Sequence, residues 1–274
     1  MKPLIAVFTT VLLAVLIYLA NAAWWIDSEV VQPDTFVASS VEALGQDSSR
    51  DATARLIVDR LVDEYPLLVV LDSSLVSLFS DLLDSPALED ILVLVSADIH
   101  DSMVTGNQEA IVVDLLDFRD VILGPVEAAA PRLAELIPDS WFTSIVVLEA
   151  GALPDLSTVA KLVGPIKIAS LVGIAILVAF MLWYLRRRGA SLMAIGASCG
   201  IAALGTAILV PGGKAITLMG VDQDALEVIV ADTYDQFTTS LKLSALVLGV
   251  ITIGISATGY ALWVSGDSSD RTFR

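Results

Sequence analysis

Four uninterrupted apolar runs stand out along the chain, at Leu4–Ala23, Ile168–Leu185, Ala190–Val210 and Leu243–Val264. A helix needs about 20 consecutive apolar residues to cross the hydrocarbon core of a bilayer, so each run predicts a transmembrane helix. Elsewhere apolar residues recur at helical spacing. The clearest stretch is Ser49–Tyr65: Ala54, Ile57, Val58, Leu61, Val62 and Tyr65 share one face, while Arg55, Asp59, Arg60 and Asp63 take the other, and Pro66 is the stop. A shorter helix opens at Gln32-Pro33-Asp34 and reaches Leu44, and another carries Leu75, Leu78, Phe79, Leu82 and Leu83. A fourth starts at Ser85-Pro86, a capping residue before a first-turn proline, and ends near Gly106-Asn107.

Two runs break the helical period. Ile111-Val112-Val113 and Ile145-Val146-Val147-Leu148 are short and β-branched, and read as strands. With a helix expected over Arg119–Ile137 between them, the order strand–helix–strand predicts a parallel pair in a two-stranded sheet. Leu153-Pro154-Asp155 starts a helix that continues into the second span, and Asp222–Ser240 predicts a helix rising out of the fourth. The fold class is a mainly α membrane protein: four transmembrane helices plus an α-rich, α+β extracytoplasmic domain. Residues 1–25 form the first helix and anchor, 26–162 the extracytoplasmic domain, and 163–188 the second helix with an arginine turn. Residues 189–210 form the third helix, 211–240 an outer loop and helix, 241–264 the fourth helix and 265–274 a cytoplasmic tail.

Positive charge near the span ends sets the orientation. Arg186, Arg187 and Arg188 fill the turn between the second and third runs, and Lys2 precedes the first, so these ends are assigned to the cytoplasm. Residues 26–162 hold 25 acidic and 6 basic side chains and fall outside. The expected location is the cytoplasmic membrane, multi-pass, with the N-terminus inside. Trp24, Trp25 and Trp183 mark the water interfaces, where amphipathic rings prefer to lie. Ala20-Asn21-Ala22 also fits a signal-peptidase site, but the apolar run is longer than the usual 7–15 residues and its basic flank is one lysine, so an uncleaved anchor is the reading.

Composition narrows the function. The chain of 274 residues is 56% hydrophobic, against roughly 45–50% in ordinary domains, with a net charge of −17. Nucleic acid is excluded as a partner, since phosphate binding needs a basic face. A single cysteine, Cys199, leaves no disulfide or multi-cysteine metal site. The apolar runs contain no Asp, Glu, Lys, Arg or His, which disfavours a pump or transporter. The third and fourth runs are rich in small residues, and Gly196, Gly200, Gly205, Gly249 and Gly254 are read as helix-packing positions. Within one subunit they join the third and fourth helices; between subunits they would build a homo-oligomer.

Chemistry-bearing clusters are thin. The lone histidine in Asp98-Ile99-His100-Asp101 offers too few ligands for zinc and reads as part of a solvated polar face. Asp222, Asp224 and Glu227 lack the further ligands of a calcium loop and fit a helix N-terminus. No Gly-x-Ser-x-Gly elbow, phosphate loop or dinucleotide fingerprint is present. No catalytic residue, metal or cofactor is assigned, and the protein is not read as an enzyme.

The chain also resembles a group of uncharacterised integral membrane proteins common in actinobacteria. The matching features are Asp27 followed by Pro33-Asp34-Thr35-Phe36-Val37, the amphipathic Ala54–Val62, Ser-Pro-Ala-Leu at 85–88 and Val-Val-Asp-Leu at 112–115. Leu153-Pro154-Asp155-Leu156 and the closing order span–Arg-Arg-Arg–span–loop–span complete them. The resemblance implies this architecture and carries no catalytic residues. The expected function is a structural, scaffolding or accessory subunit of the cell envelope, its partners the lipid bilayer and a membrane protein or a second copy. The alternatives are an extracytoplasmic ligand sensor and an oligomeric channel.

Overall fold

Side chains as apolar as those of the four long runs leave the backbone one way to satisfy its polar groups in a single segment, the helix. The computed structural model describes every residue except 1, 65, 108, 115–118, 120–123, 125–126, 128–143, 149, 152, 186–187, 222 and 272–274. About 90% of it is helical, and four helices are long and apolar enough to cross a membrane. Those four are α1 (Lys2–Trp25), α6 (Ser157–Tyr184), α7 (Arg188–Leu218) and α8 (Asp224–Arg271). The others are α2 (Pro33–Leu44), α3 (Asp47–Glu64), α4 (Asp72–Leu83) and α5 (Pro86–Thr105). A π-helical turn, Ile26–Val31, follows α1, and a 3-10 segment, Pro66–Leu71, joins α3 to α4. The helix expected over 119–137 falls almost wholly outside the described residues, as do Tyr65, Arg186, Arg187 and Asp222.

The expected parallel strands are antiparallel. β1 (Ile111–Asp114) pairs with β2 (Ser144–Leu148), Val112 opposite Val146 and Asp114 opposite Ser144, with an irregularity after Ile111. Local β-propensity fixes that a segment is extended but not the direction from which its partner arrives, and a strand separated from its neighbour by a long connection can return either way. The third apolar run was also expected to end at Val210; α7 instead continues through Pro211 to Leu218. Proline removes one backbone donor, a loss that the long helix tolerates in its interior, as α6 does at Pro165.

The chain divides into two compact units. An apolar unit holds Met1–Ser28, Lys161–Ile216 and Thr238–Arg274; a polar unit holds Glu29–Ala160 and Thr217–Phe237. In the apolar unit, Leu13 of α1, Met181 of α6 and Ile195 of α7 form a buried cluster, with Ile17, Ile174, Leu177 and Ile255 packed around it. α7 sits innermost: 39% of its apolar window is buried against 6% for α8. Ser198 of α7 donates to the Thr10 carbonyl of α1 at 2.9 Å, and a Cβ at Gly205 would lie 3.8 Å from the Tyr18 ring, so α1 and α7 run parallel. α6 meets α1 through Gly173 against Leu16 and through Lys167 paired with Asp27, a register that makes them antiparallel.

The polar unit is built from the amphipathic helices. Ala54 and Val58 of α3 are fully buried, whereas Arg55, Asp59, Arg60 and Asp63 are exposed, as the 3.6-residue period requires. α3 and α4 form an antiparallel hairpin. Arg50 at its open end pairs with Asp47 of its own helix and with Asp84 beyond α4, and Ser80 donates to Asp51 at 2.7 Å. Gly106, with φ of +76°, closes α5 in the left-handed conformation that glycine adopts without strain.

Candidate functional site

Glycines bring α7 and α8 close together in the apolar unit. A Cβ at Gly196 would lie 2.2 Å from the Ser256 hydroxyl, one at Gly200 3.1 Å from the Thr252 methyl, and one at Gly259 2.8 Å from the Met193 nitrogen. Only a hydrogen on these α-carbons lets α7 and α8 approach so far. Gly205 instead faces Tyr18 of α1. Gly249 and Gly254 take no part in this contact: among the described residues, a Cβ at either meets nothing within 4 Å. Gly254 lies two residues from Thr252 and Ser256, which rotates it about 200° away from the edge that touches α7. Gly189, opposite Gly259, is also part of the seam, although no small-residue spacing in the sequence points to it. Small residues mark a candidate seam, but the register between two helices is not written in either.

The aromatics expected at the water interfaces lie at opposite ends of the apolar unit. Trp24 is 63% exposed, and the Lys167 ammonium lies 5.2 Å from its ring centroid while pairing with Asp27. At the other end Trp183 is 76% exposed, and Phe180 stacks on Tyr184 at 5.3 Å. Trp25 is half-buried in the last turn of α1, and Arg188 opens α7.

His100 is buried, not solvated as expected. Its Nε2 donates to the Val31 carbonyl at 3.0 Å, and its ring lies 5.1 Å from Phe36, which in turn lies 5.3 Å from Phe237. Asp98 and Asp101 are exposed on other faces of α5, so the three residues do not converge on one point. Among the described residues no group of three or more His, Cys, Asp or Glu could hold a metal ion. Asp224 and Glu227 stand exposed in the first turn of α8, where the helix dipole favours acids. Asp232, further along α8, accepts hydrogen bonds from Ser48 at 2.5 Å and Ser49 at 2.9 Å. These hydroxyls belong to the first turn of α3, so the carboxylate also faces the positive end of that helix.

A groove of about 800 Å³ lies between α3 and α4 in the polar unit. Asp51, Arg55 and Asp59 line one wall at intervals of one helical turn, and Asp72, Ser77 and Asp81 the other. Four carboxylates against one guanidinium make it electronegative. Arg55 and Asp59 are legible as the exposed face of an amphipathic helix; the leucines of α4 mark its apolar side and leave the opposing wall unmarked. Comparison with known protein families, with curated proteins and with solved structures finds no match to this chain.

Proposed function

We propose that the chain is a multi-pass protein of the cytoplasmic membrane, N-terminus inside and residues 26–162 outside, that works by contact as a scaffolding or accessory subunit. One observation carries the reading. The lone histidine and two of the best-partnered charged side chains are engaged in holding the fold: His100 ties α5 to the π-helical turn, Asp232 ties α8 to α3, and Arg50 closes the α3–α4 hairpin. Of the small residues that an oligomeric channel would use between subunits, Gly189, Gly196, Gly200 and Gly259 are occupied within one copy, whereas Gly249 and Gly254 face open space. Charge supports the orientation, with the arginine turn inside and the acidic surface outside.

The test has two parts. In intact cells a membrane-impermeant maleimide should label Asp59→Cys and should label Arg187→Cys only after permeabilisation; the reverse pattern overturns the orientation. In-cell cross-linking followed by purification in mild detergent should yield a membrane protein in fixed stoichiometry with this chain. A lone chain that carries ions across liposomes overturns the contact reading.

A ligand sensor is the second reading, favoured by α8. This helix runs unbroken for 48 residues and contributes to both compact units, so a ligand-driven shift at Asp232 or Phe237 would act on the helix that also enters the apolar unit. Two glycines inserted after Phe237 should abolish any ligand response while leaving ligand binding intact.

A further inference from the structure

The connection between α3 and α4 is out of keeping with its surroundings. Residues 66–71 read Pro-Leu-Leu-Val-Val-Leu, and Val69, Val70 and Leu71 are 60%, 85% and 45% exposed. Scattered single apolar residues on a surface need no explanation, but a contiguous exposed apolar patch marks an interaction site. This patch caps the end of the hairpin at which the groove walls carry Asp59 and Asp72.

We propose that the α3–α4 hairpin is a docking surface for a cationic amphipathic helix of a partner protein. The apolar tip receives the partner's hydrophobic side chains and the groove its lysines or arginines. The inference rests on the contact reading above and names the surface and the chemistry of the partner. Charge decides the occupant. A segment that dips into a lipid surface carries lysine or arginine on its polar face to meet anionic headgroups; here the exposed charged residues around the tip are Asp59, Asp63 and Asp72 against the single Arg60, a net negative surface. A second copy would bring the same carboxylates against these, which is repulsive. A basic helix meets both features at once. Its apolar positions recur every three to four residues, and its charges lie on the flanks. Arg55, midway along the groove, leaves the two ends as the most electronegative positions, which sets the partner's cations about two helical turns apart.

The experiment uses the full-length protein in phosphatidylcholine nanodiscs with a photo-crosslinking residue at position 70. The probe is a labelled synthetic helix with leucines on one face and lysines on the other, beside a scrambled peptide of identical composition. The patterned peptide should form an adduct at position 70, at least tenfold more than the scrambled one. The pair Asp59→Asn and Asp72→Asn should lower that yield at least tenfold, whereas Asp98→Asn with Asp101→Asn, exposed carboxylates of α5, should change it less than twofold. Circular dichroism checks that each variant keeps its helix content. Equal adducts with both peptides, or equal losses in both variant pairs, would mean diffuse electrostatic attraction and overturn the proposal. Adducts confined to phospholipid or to a second copy overturn it as well. Loss of the peptide adduct while cells still yield a stoichiometric partner sinks this surface alone. An intact adduct with no cellular partner sinks the contact reading and spares the surface.

Discussion

A hydrogen in place of a methyl group decides how near α7 and α8 lie. At Gly259 an added Cβ would lie 2.8 Å from one backbone atom and 2.9 Å from another, and backbone cannot swing aside as a side chain does. Gly259→Ala should therefore push the helices apart, at a cost of about 1–3 kcal/mol. Gly254→Ala, in open space on the same helix, should be neutral or stabilising by up to about 1 kcal/mol through helix propensity. The midpoint of SDS-induced unfolding, followed by circular dichroism, separates the two; equal shifts would refute the seam. His100 offers a second test at this scale. His100→Phe keeps a ring against Phe36 but leaves the Val31 carbonyl without its donor, so it should cost about 1–2 kcal/mol. A denaturation midpoint unchanged from the parent would mean that water replaces the lost donor.

Among the elements, the α3–α4 hairpin shows what an ion pair contributes when its acids face water. The Arg50 side chain is 17% exposed, but Asp47 is 91% and Asp84 68% exposed, so solvent screens both pairs. Arg50→Met should destabilise the polar unit by about 0.5–1 kcal/mol, and molar salt should erase most of the difference. A loss that persists in high salt would point to packing of the arginine stem instead. The hairpin also shows where a sequence speaks clearly. The long apolar runs are read directly, because only a helix satisfies their backbone in lipid. The faces of α3 are read from period alone, and Ala54 and Val58 lie at its buried centre. What the sequence does not carry is register between elements. It presents Gly196, Gly200, Gly249 and Gly254 as equivalent small residues, and only the crossing of α7 with α8 selects the first two. Strand direction fails for the same reason, and the burial of His100 depends on Val31 and Phe36, about 70 residues away along the chain. Polar residues that look solvated in one helix become internal struts when a distant segment covers them.

At the scale of the whole molecule, the polar unit is assembled from two separated stretches, Glu29–Ala160 and Thr217–Phe237. The second is joined to the first by the Asp232 carboxylate on Ser48 and Ser49 and by the Phe237 ring against Phe36. Ser49 is fully buried, so without Asp232 its hydroxyl loses this acceptor in a place where water cannot readily substitute. A fragment restricted to residues 29–160 should consequently fold less stably than the same fragment given residues 217–237 as a free peptide. Two hydrogen bonds to a carboxylate and one aromatic contact amount to about 2–4 kcal/mol, equivalent to a rise in Tm of roughly 10 °C at this size. The peptide should bind saturably, and Asp232→Ala within it should remove most of the rise. If the fragment melts at the same temperature with and without the peptide, the 217–237 segment is a passenger of α8 and the boundary of the polar unit must be redrawn at Ala160. If the rise survives Asp232→Ala but not Phe237→Ala, the aromatic contact alone holds the two stretches together, and the carboxylate at the head of α3 serves the solvated surface.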